Sequence, residues 1–390
     1  MRWIPKSQGK CDMALTLRNF RPIGLKEAPT ELHVDDYGKV TAASVAGASV
    51  VDAGGAFLCP GWCDLHVHVW HGGTDISVRV AEAGRNHGVT AMADAGSAGE
   101  ASFHGLREYI IDPAAETIRA FLNIGSIGLV ACNRVSELID LRSIDIDRTL
   151  AVIEANRDVI CGIKVRASGV IVGAWGITPL KIAKRVAEIV NLPLMVHVGE
   201  PPPLIDEVLP LLSEGDIVTH CFNGKPAGSI ADTQAIWNMA RAAADRGVRM
   251  DVGHGQASFD FDVARRAIDE GFEPFAISTD LHLRNLHGPV HDLALTVSKL
   301  HALGMGLDAC IAAITERPRS TLGLTGRDGC APGTKADFTL FRMADIDLTV
   351  SDSMGKRLHL TRAFDPVGTV IGATYQAATS RRPVGAGGAA

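Results

Sequence analysis

Along the chain, short runs rich in apolar and β-branched residues alternate with stretches whose apolar residues recur every three or four positions. The runs end in Gly, Asp or His and fall at 57–68 (FLCPGWCDLHVH), 90–96, 117–125 (TIRAFLNIG), 159–166 (VICGIKVR), 193–200 (PLMVHVGE), 216–222 (DIVTHCF), 248–255 and 274–282 (PFAISTDLH). Each reads as a buried strand, and Pro60-Gly61 is compatible with a kink in the first. Between them, residues 74–87, 100–111, 145–156, 178–191, 204–214, 229–246, 258–271 and 290–303 read as amphipathic helices. Strands alternating with helices predict a parallel sheet, and eight repeats favour a closed (β/α)8 TIM barrel. The competing open, doubly wound fold lacks a GxGxxG after its first strand.

The flanks follow another pattern. Residues 13–57 read as short strands with turns, among them LHVDDYGKV, and 326–341 and 367–375 look alike. The chain is therefore expected to divide into a barrel over 58–325 and a small β-sandwich from 1–57 and 326–390. Residues 1–12 are an expected unstructured lead, with Met1 or Met13 as the start, and 381–390 an expected disordered tail.

Composition narrows the class. The chain has 390 residues, 46% hydrophobic and 21% charged, enough for a roughly 250-residue barrel plus a module. A net charge of −6 without a basic run argues against nucleic-acid binding. The eight cysteines are scattered without a CxxC, which suits buried thiols in a reducing compartment. No apolar leader and no stretch of membrane-spanning length is present, so the expectation is a cytoplasmic protein with no membrane partner. A homo-oligomer is allowed but not specified.

Functional residues of such a barrel sit at the carboxyl ends of its strands. There the runs place His66 and His68, Lys164, His197, His220 and Asp280. Side chains two apart on a strand share a face, so His66 and His68 would project side by side. Four imidazoles and a carboxylate suit Zn²⁺, with Mn²⁺, Fe²⁺ or Co²⁺ as alternatives.

This set, with the stretches DLHVHVWHGGTD, GIKVRASG, VHVGEPP, THCFNGK, ISTDLH, TERPRSTLG and GTKADFTLF, resembles the amidohydrolase superfamily over nearly the whole chain. Within it, the sequence is similar to the amidohydrolase/deacetylase metallohydrolases, near D-aminoacylases and dihydroorotases and including esterases of acetyl-(R)-mandelate. The resemblance implies two divalent ions, with His66, His68 and Asp280 on one and His197 and His220 on the other. It also implies that Lys164 is carboxylated and bridges them. Burial beside cations would favour a neutral Lys164 amine, the form that adds CO₂. The implied reaction is attack of a shared hydroxide on an amide or ester carbonyl, with Asp280 as general base and then acid.

Arg166, two residues past Lys164, could hold a substrate carboxylate or make an ion pair at the rim. His254 could hydrogen-bond the substrate carbonyl or support the site. Asn223 could contact substrate or shape its loop. The loop histidine His287 is expected to contact substrate, and a surface or supporting role is the plainer reading for it and for His71 and His282. Asp64 is expected to orient a histidine, and Asp94 to be structural. Glu200 is a rim residue or an acid near the site. Trp70 and Trp175 could line an aromatic pocket or pack on the rim. The leading expectation is a hydrolase of N-acyl amino acids or acetylated 2-hydroxy acids. Cyclic amide hydrolysis of the dihydroorotase or hydantoinase type is the alternative. A scaffold barrel without chemistry is a third, which retention of all six ligands opposes.

Overall fold

In the computed structural model, residues 13–26, 28–324 and 329–383 are described. The expected lead 1–12 and most of the expected tail, 384–390, lie outside them. Alternation of apolar residues near the amino end gives short strands β1 (Leu15–Arg18), β2 (Arg21–Pro22), β3 (Leu32–Val34), β4 (Val40–Thr41) and β5 (Ser49–Asp52). The apolar run that follows splits into β6 (Phe57–Pro60) and β7 (Trp62–Val67) at Gly61, the position of the expected kink.

From β7 onward, strands and helices alternate. The strands are β8 (Val89–Gly99), β9 (Thr117–Asn123), β10 (Ile160–Ala167), β11 (Leu194–Val198), β12 (Ile217–Thr219) and β13 (Arg249–Asp251). The helices are α1 (Val80–Ala83), α2 (Phe103–Leu106), α3 (Ile146–Ala155), α4 (Gly169–Val172), α5 (Thr178–Val190), α6 (Ile205–Val208), α7 (Gln234–Asp245), α8 (Phe261–Asp269) and α9 (Leu293–Ala302). Side-chain caps start four of the longer ones, where Asp145, Thr233, Asp260 and Asp292 each accept from a backbone N–H in the first turn, while the longest, α5, has none. The stretches read as helices over 74–87, 100–111 and 204–214 form only four-residue α-turns, continued by 3₁₀ or π turns.

The seven strands β7 to β13 are parallel neighbours in chain order and form a nearly closed barrel. The eighth expected strand is not a continuous ladder. Its segment makes isolated bridges, Asp251 with Ala276 and Val67 with Leu281, across the gap between β13 and β7. Side chains interrupt it: Asp64 Oδ1, not a strand carbonyl, accepts from the Thr279 N–H at 3.1 Å, and Asp280 turns into the left-handed region at φ 50°. The barrel is thus seven strands and a bridging segment.

Two further helices, α10 (Leu307–Ile314) and α11 (Glu316–Thr321), precede a hairpin of β14 (Asp337–Ser351) and β15 (Arg357–Ile371), then β16 (Thr374–Ala377). The hairpin is much longer than the expected strands at 326–341 and 367–375, because residues 342–349 are mostly exposed or half-buried and dilute the apolar signal. One sheet has the order β4-β3-β1-β5 and the other β16-β15-β14-β6-β2. Leu15, Leu17, Leu32 and Val34 of the first meet Leu58, Phe338, Leu340 and Val370 of the second in one buried apolar layer. Arg381, inside the expected tail, is held: its Nη1 donates to the His291 carbonyl at 2.7 Å. Among the described residues, no helix is long and apolar enough to cross a membrane.

Candidate active site

Parallel strands carry their carboxyl ends to one mouth, and the last residues of β7 bring His66 and the following His68 there, 1% and 5% exposed. Asp280 arrives from the bridging segment. Its Oδ1 lies 3.3 Å from His66 Nε2 and 3.1 Å from His68 Nε2. The three potential ligand atoms all lie within 4.8 Å of one another. Each imidazole is oriented from behind. Thr219 Oγ1 donates to Asp251 Oδ2 at 2.7 Å, so it accepts from His66 Nδ1 at 2.8 Å and leaves the Nε2 lone pair facing Asp280. His68 Nδ1 meets Ser97 Oγ at 2.9 Å. Two imidazole nitrogens and a carboxylate oxygen, closely grouped, with the rings bonded from behind by the Thr219 and Ser97 hydroxyls, make a metal-binding site.

The other expected ligands gather beside it. Lys164 Nζ is 3.1 Å from His66 Nε2, buried, with burial pulling it down to about 8. His197 Nδ1 and His220 Nε2 are 2.9 Å apart. The Gly253 carbonyl can only accept, so at 2.6 Å it fixes the proton on His220 Nδ1 and turns the Nε2 lone pair toward His197. Burial holds His66 and His197 well below the usual imidazole range and brings His220 to about 4, so all three are neutral donors at pH 7. At Asp280 burial acts upward, but neighbouring histidines outweigh it, His66 foremost, and keep the carboxyl ionised. His220 and Asp280 both have positive φ, 68° and 50°, an unfavourable backbone state of about 1 kcal/mol or more for such residues.

The expected substrate residues are placed differently. Arg166 lines the pocket, but its Nε and Nη2 donate to Glu137 at 2.7 and 2.5 Å, and the Glu137 side chain is fully buried. His254 faces away from the pocket: it is buried, with Nε2 2.8 Å from Lys299 Nζ and its ring 4.6 Å from that of Phe259. Asn223 is spent on its own loop, donating to the His220 and Gly228 carbonyls and accepting from the Lys225 N–H. His287 is exposed and outside the pocket lining. Asp64 accepts from the His66 N–H at 3.2 Å, and Asp94 ties Val69 to Ser97. Trp70 and Trp175 do not line the pocket. Its apolar wall is Ile76, Leu129, Val170 and Ile171.

Sequence reading did not find Glu137, Thr219, Ser97 or Asp251. Thr219 had one available signal, its place directly before His220. Asp251 lay inside the run at 248–255 and Ser97 directly after that at 90–96, while Glu137 lies outside every strand run and carried none.

Fold and site together define a metal-dependent hydrolase of amide or ester bonds. No family model matches the chain. It is 50% identical over 378 residues to Deacetylase Atu3266 of Agrobacterium fabrum, spanning 95% of this chain and 93% of that protein. Identity to a deacetylase of Brucella anthropi is 50% over 368 residues, 92% of each. A solved dihydroorotase superposes with a TM-score of 0.91 at 48% identity, covering 95% of this chain and 99% of that one. The chain belongs to the amidohydrolase superfamily, in its deacetylase-like branch.

Proposed function

We propose that this enzyme removes the acyl group from a small N-acylamino or O-acylhydroxy carboxylate, acetyl-(R)-mandelate being one example. The observation that carries the reading is the Nε2, Nε2 and Oδ1 cluster of His66, His68 and Asp280, with Lys164 and the His197–His220 pair against it. In this reading His66, His68 and Asp280 hold one divalent ion, with Zn²⁺ the first choice, and His197 and His220 hold a second. The neutral Lys164 Nζ would add CO₂ and lose a proton to become a carbamate, a further anionic ligand for the ions. Bound there, divalent ions polarise the scissile carbonyl and lower the pKa of water. Asp280, ionised and facing both histidines, takes a proton from the attacking water at a carboxylate oxygen and returns it to the leaving amine or alkoxide. His66 stays neutral, with its proton on Nδ1 toward Thr219, so it does not compete for that proton. In this reading the chemistry stays within 58–325, and among the described residues 1–57 and 326–390 supply none that lines the pocket.

The names of both deacetylase relatives support acyl transfer to water. The solved dihydroorotase supports a second reading, cyclic amide hydrolysis with the same residues. A pocket of about 210 Å³ suits either small substrate. The test is a screen of N-acetyl amino acids of both hands, O-acetyl 2-hydroxy acids, dihydroorotate and hydantoins, on protein prepared with bicarbonate and analysed for metal. Turnover of the acyl carboxylates and close to two ions per chain are expected. Turnover of the cyclic amides alone would replace the first reading with the second. One ion per chain, unchanged by bicarbonate, would remove the bridging role of Lys164.

A further inference from the structure

Three cationic side chains reach the outer part of the pocket: Arg166, Lys225 and Arg284. Two already carry a carboxylate. Arg166 spends Nε and Nη2 on buried Glu137, and releasing them would leave that carboxylate uncompensated in the interior. Lys225 Nζ is 2.8 Å from Glu200 Oε1, and the other Glu200 oxygen accepts from Ser168 Oγ at 2.7 Å. Arg284 differs. Among the described residues, its guanidinium has no hydrogen-bond or ion-pair partner, although it lines the same pocket.

Its backbone is nevertheless fixed relative to Asp280. Asn285 Nδ2 donates to the Asp280 carbonyl at 2.8 Å, and Asn285 Oδ1 accepts from the His282 N–H at 2.9 Å. The Arg284 N–H in turn donates to His282 Nδ1 at 3.2 Å. A flexible side chain with an unspent planar fork thus stands on a short, bonded loop four residues from the carboxylate that handles the proton. The apolar side of the pocket, from Ile76 to Ile171, offers nothing to an anion.

We propose that Arg284 is the specificity-determining residue, holding the carboxylate of the acyl substrate through its fork while the substrate side chain lies on the apolar wall. This rests on the acyl-carboxylate reading above. The test compares O-acetylmandelate with its neutral carboxamide. The wild type is expected to favour the acid. Arg284→Gln should raise KM for the acid by about 10- to 100-fold, the size of a lost charged hydrogen bond, with kcat little changed and the carboxamide unaffected. Arg284→Lys should recover part of the loss. Calorimetric affinity for free mandelate should fall by a similar factor in Arg284→Gln. An acid-to-carboxamide ratio and mandelate affinity that Arg284→Gln leaves unchanged would overturn the assignment and leave the acyl-carboxylate reading standing. Equal hydrolysis of acid and carboxamide by the wild type would overturn the assignment, and a wild type that hydrolyses neither these nor any N-acetyl amino acid would overturn the two together.

Discussion

Thr219 illustrates how a small hydroxyl governs a ligand that it never replaces. It passes the hydrogen bond of His66 Nδ1 to Asp251, whose carboxyl is raised to about 6 by burial. Thr219→Val keeps shape and removes the relay, so divalent-metal affinity, measured by competition with a chromophoric chelator, should fall about 10- to 100-fold. An unchanged affinity would show that the imidazole is oriented by packing alone. Asp280→Asn keeps a ligand oxygen but cannot take a proton. Turnover should fall by about 10²- to 10⁴-fold while metal content is largely kept, and retained activity would contradict its role. At this scale, the histidines, Lys164 and Asp280 were legible because strand ends can be counted and imidazoles are rare. For Arg166 sequence left substrate binding and an ion pair both open, because its partner Glu137 lies 29 residues earlier, outside any strand run, and no local pattern joins them. For His254 sequence left contact with the substrate carbonyl and support of the site both open, because spacing does not set the ring's orientation, which is toward Lys299 and Phe259.

Gly61 decides what becomes of the first apolar run. Before it, β6 pairs antiparallel with β14; after it, β7 pairs parallel with β8. Alternation and burial are the same on both sides, so sequence showed one strand with a kink and could not show a change of sheet. The crossing is clamped. Arg319 Nε donates to the Gly61 carbonyl at 2.8 Å, and Arg319 Nη2 reaches Asp337 and Thr90 at 2.8 and 3.0 Å. A Cβ at Gly61 would overlap Thr90 Oγ1 and Asp337 Oδ1, both buried. Gly61→Ala should therefore destabilise the fold by about 1–3 kcal/mol or more, read from the urea midpoint. Because Trp62 and Cys63 lead directly to His66, metal affinity should weaken in the same variant. A midpoint equal to wild type would mean that the clamp has room to move. The eighth strand was legible as a run but not as a broken ladder. Asp64 and Asp280 interrupt it, and those are the side chains that serve the site.

Across the whole molecule, the long hairpin reaches back to the barrel mouth, and Lys299 is where they join. From α9 its Nζ donates to the Pro289 carbonyl at 2.7 Å and the Ser351 carbonyl at 2.9 Å, and meets His254 Nε2 at 2.8 Å. Ser353 Oγ adds bonds to the His254 and Gly255 carbonyls at 3.2 and 2.9 Å. The hairpin tip thereby braces the loop whose next residues, Gln256 to Ser258, line the pocket. Burial pulls Lys299 down to about 7, against upward effects of Asp352 and Asp292. An unfolded lysine keeps its proton to about 10.4. Folding therefore releases a proton between these values, and this contribution to stability, complete above the unfolded pKa, is lost as pH falls from about 10 to 7. Urea unfolding should show wild type gaining on Lys299→Met as pH rises from 7 to 10, with a slope approaching roughly 1 kcal/mol per pH unit for one proton. Parallel curves would mean that the three acceptors keep Lys299 charged in the folded protein. The brace would then be an ion–dipole clamp rather than a neutral hydrogen-bonded one, and its strength would not change across that range.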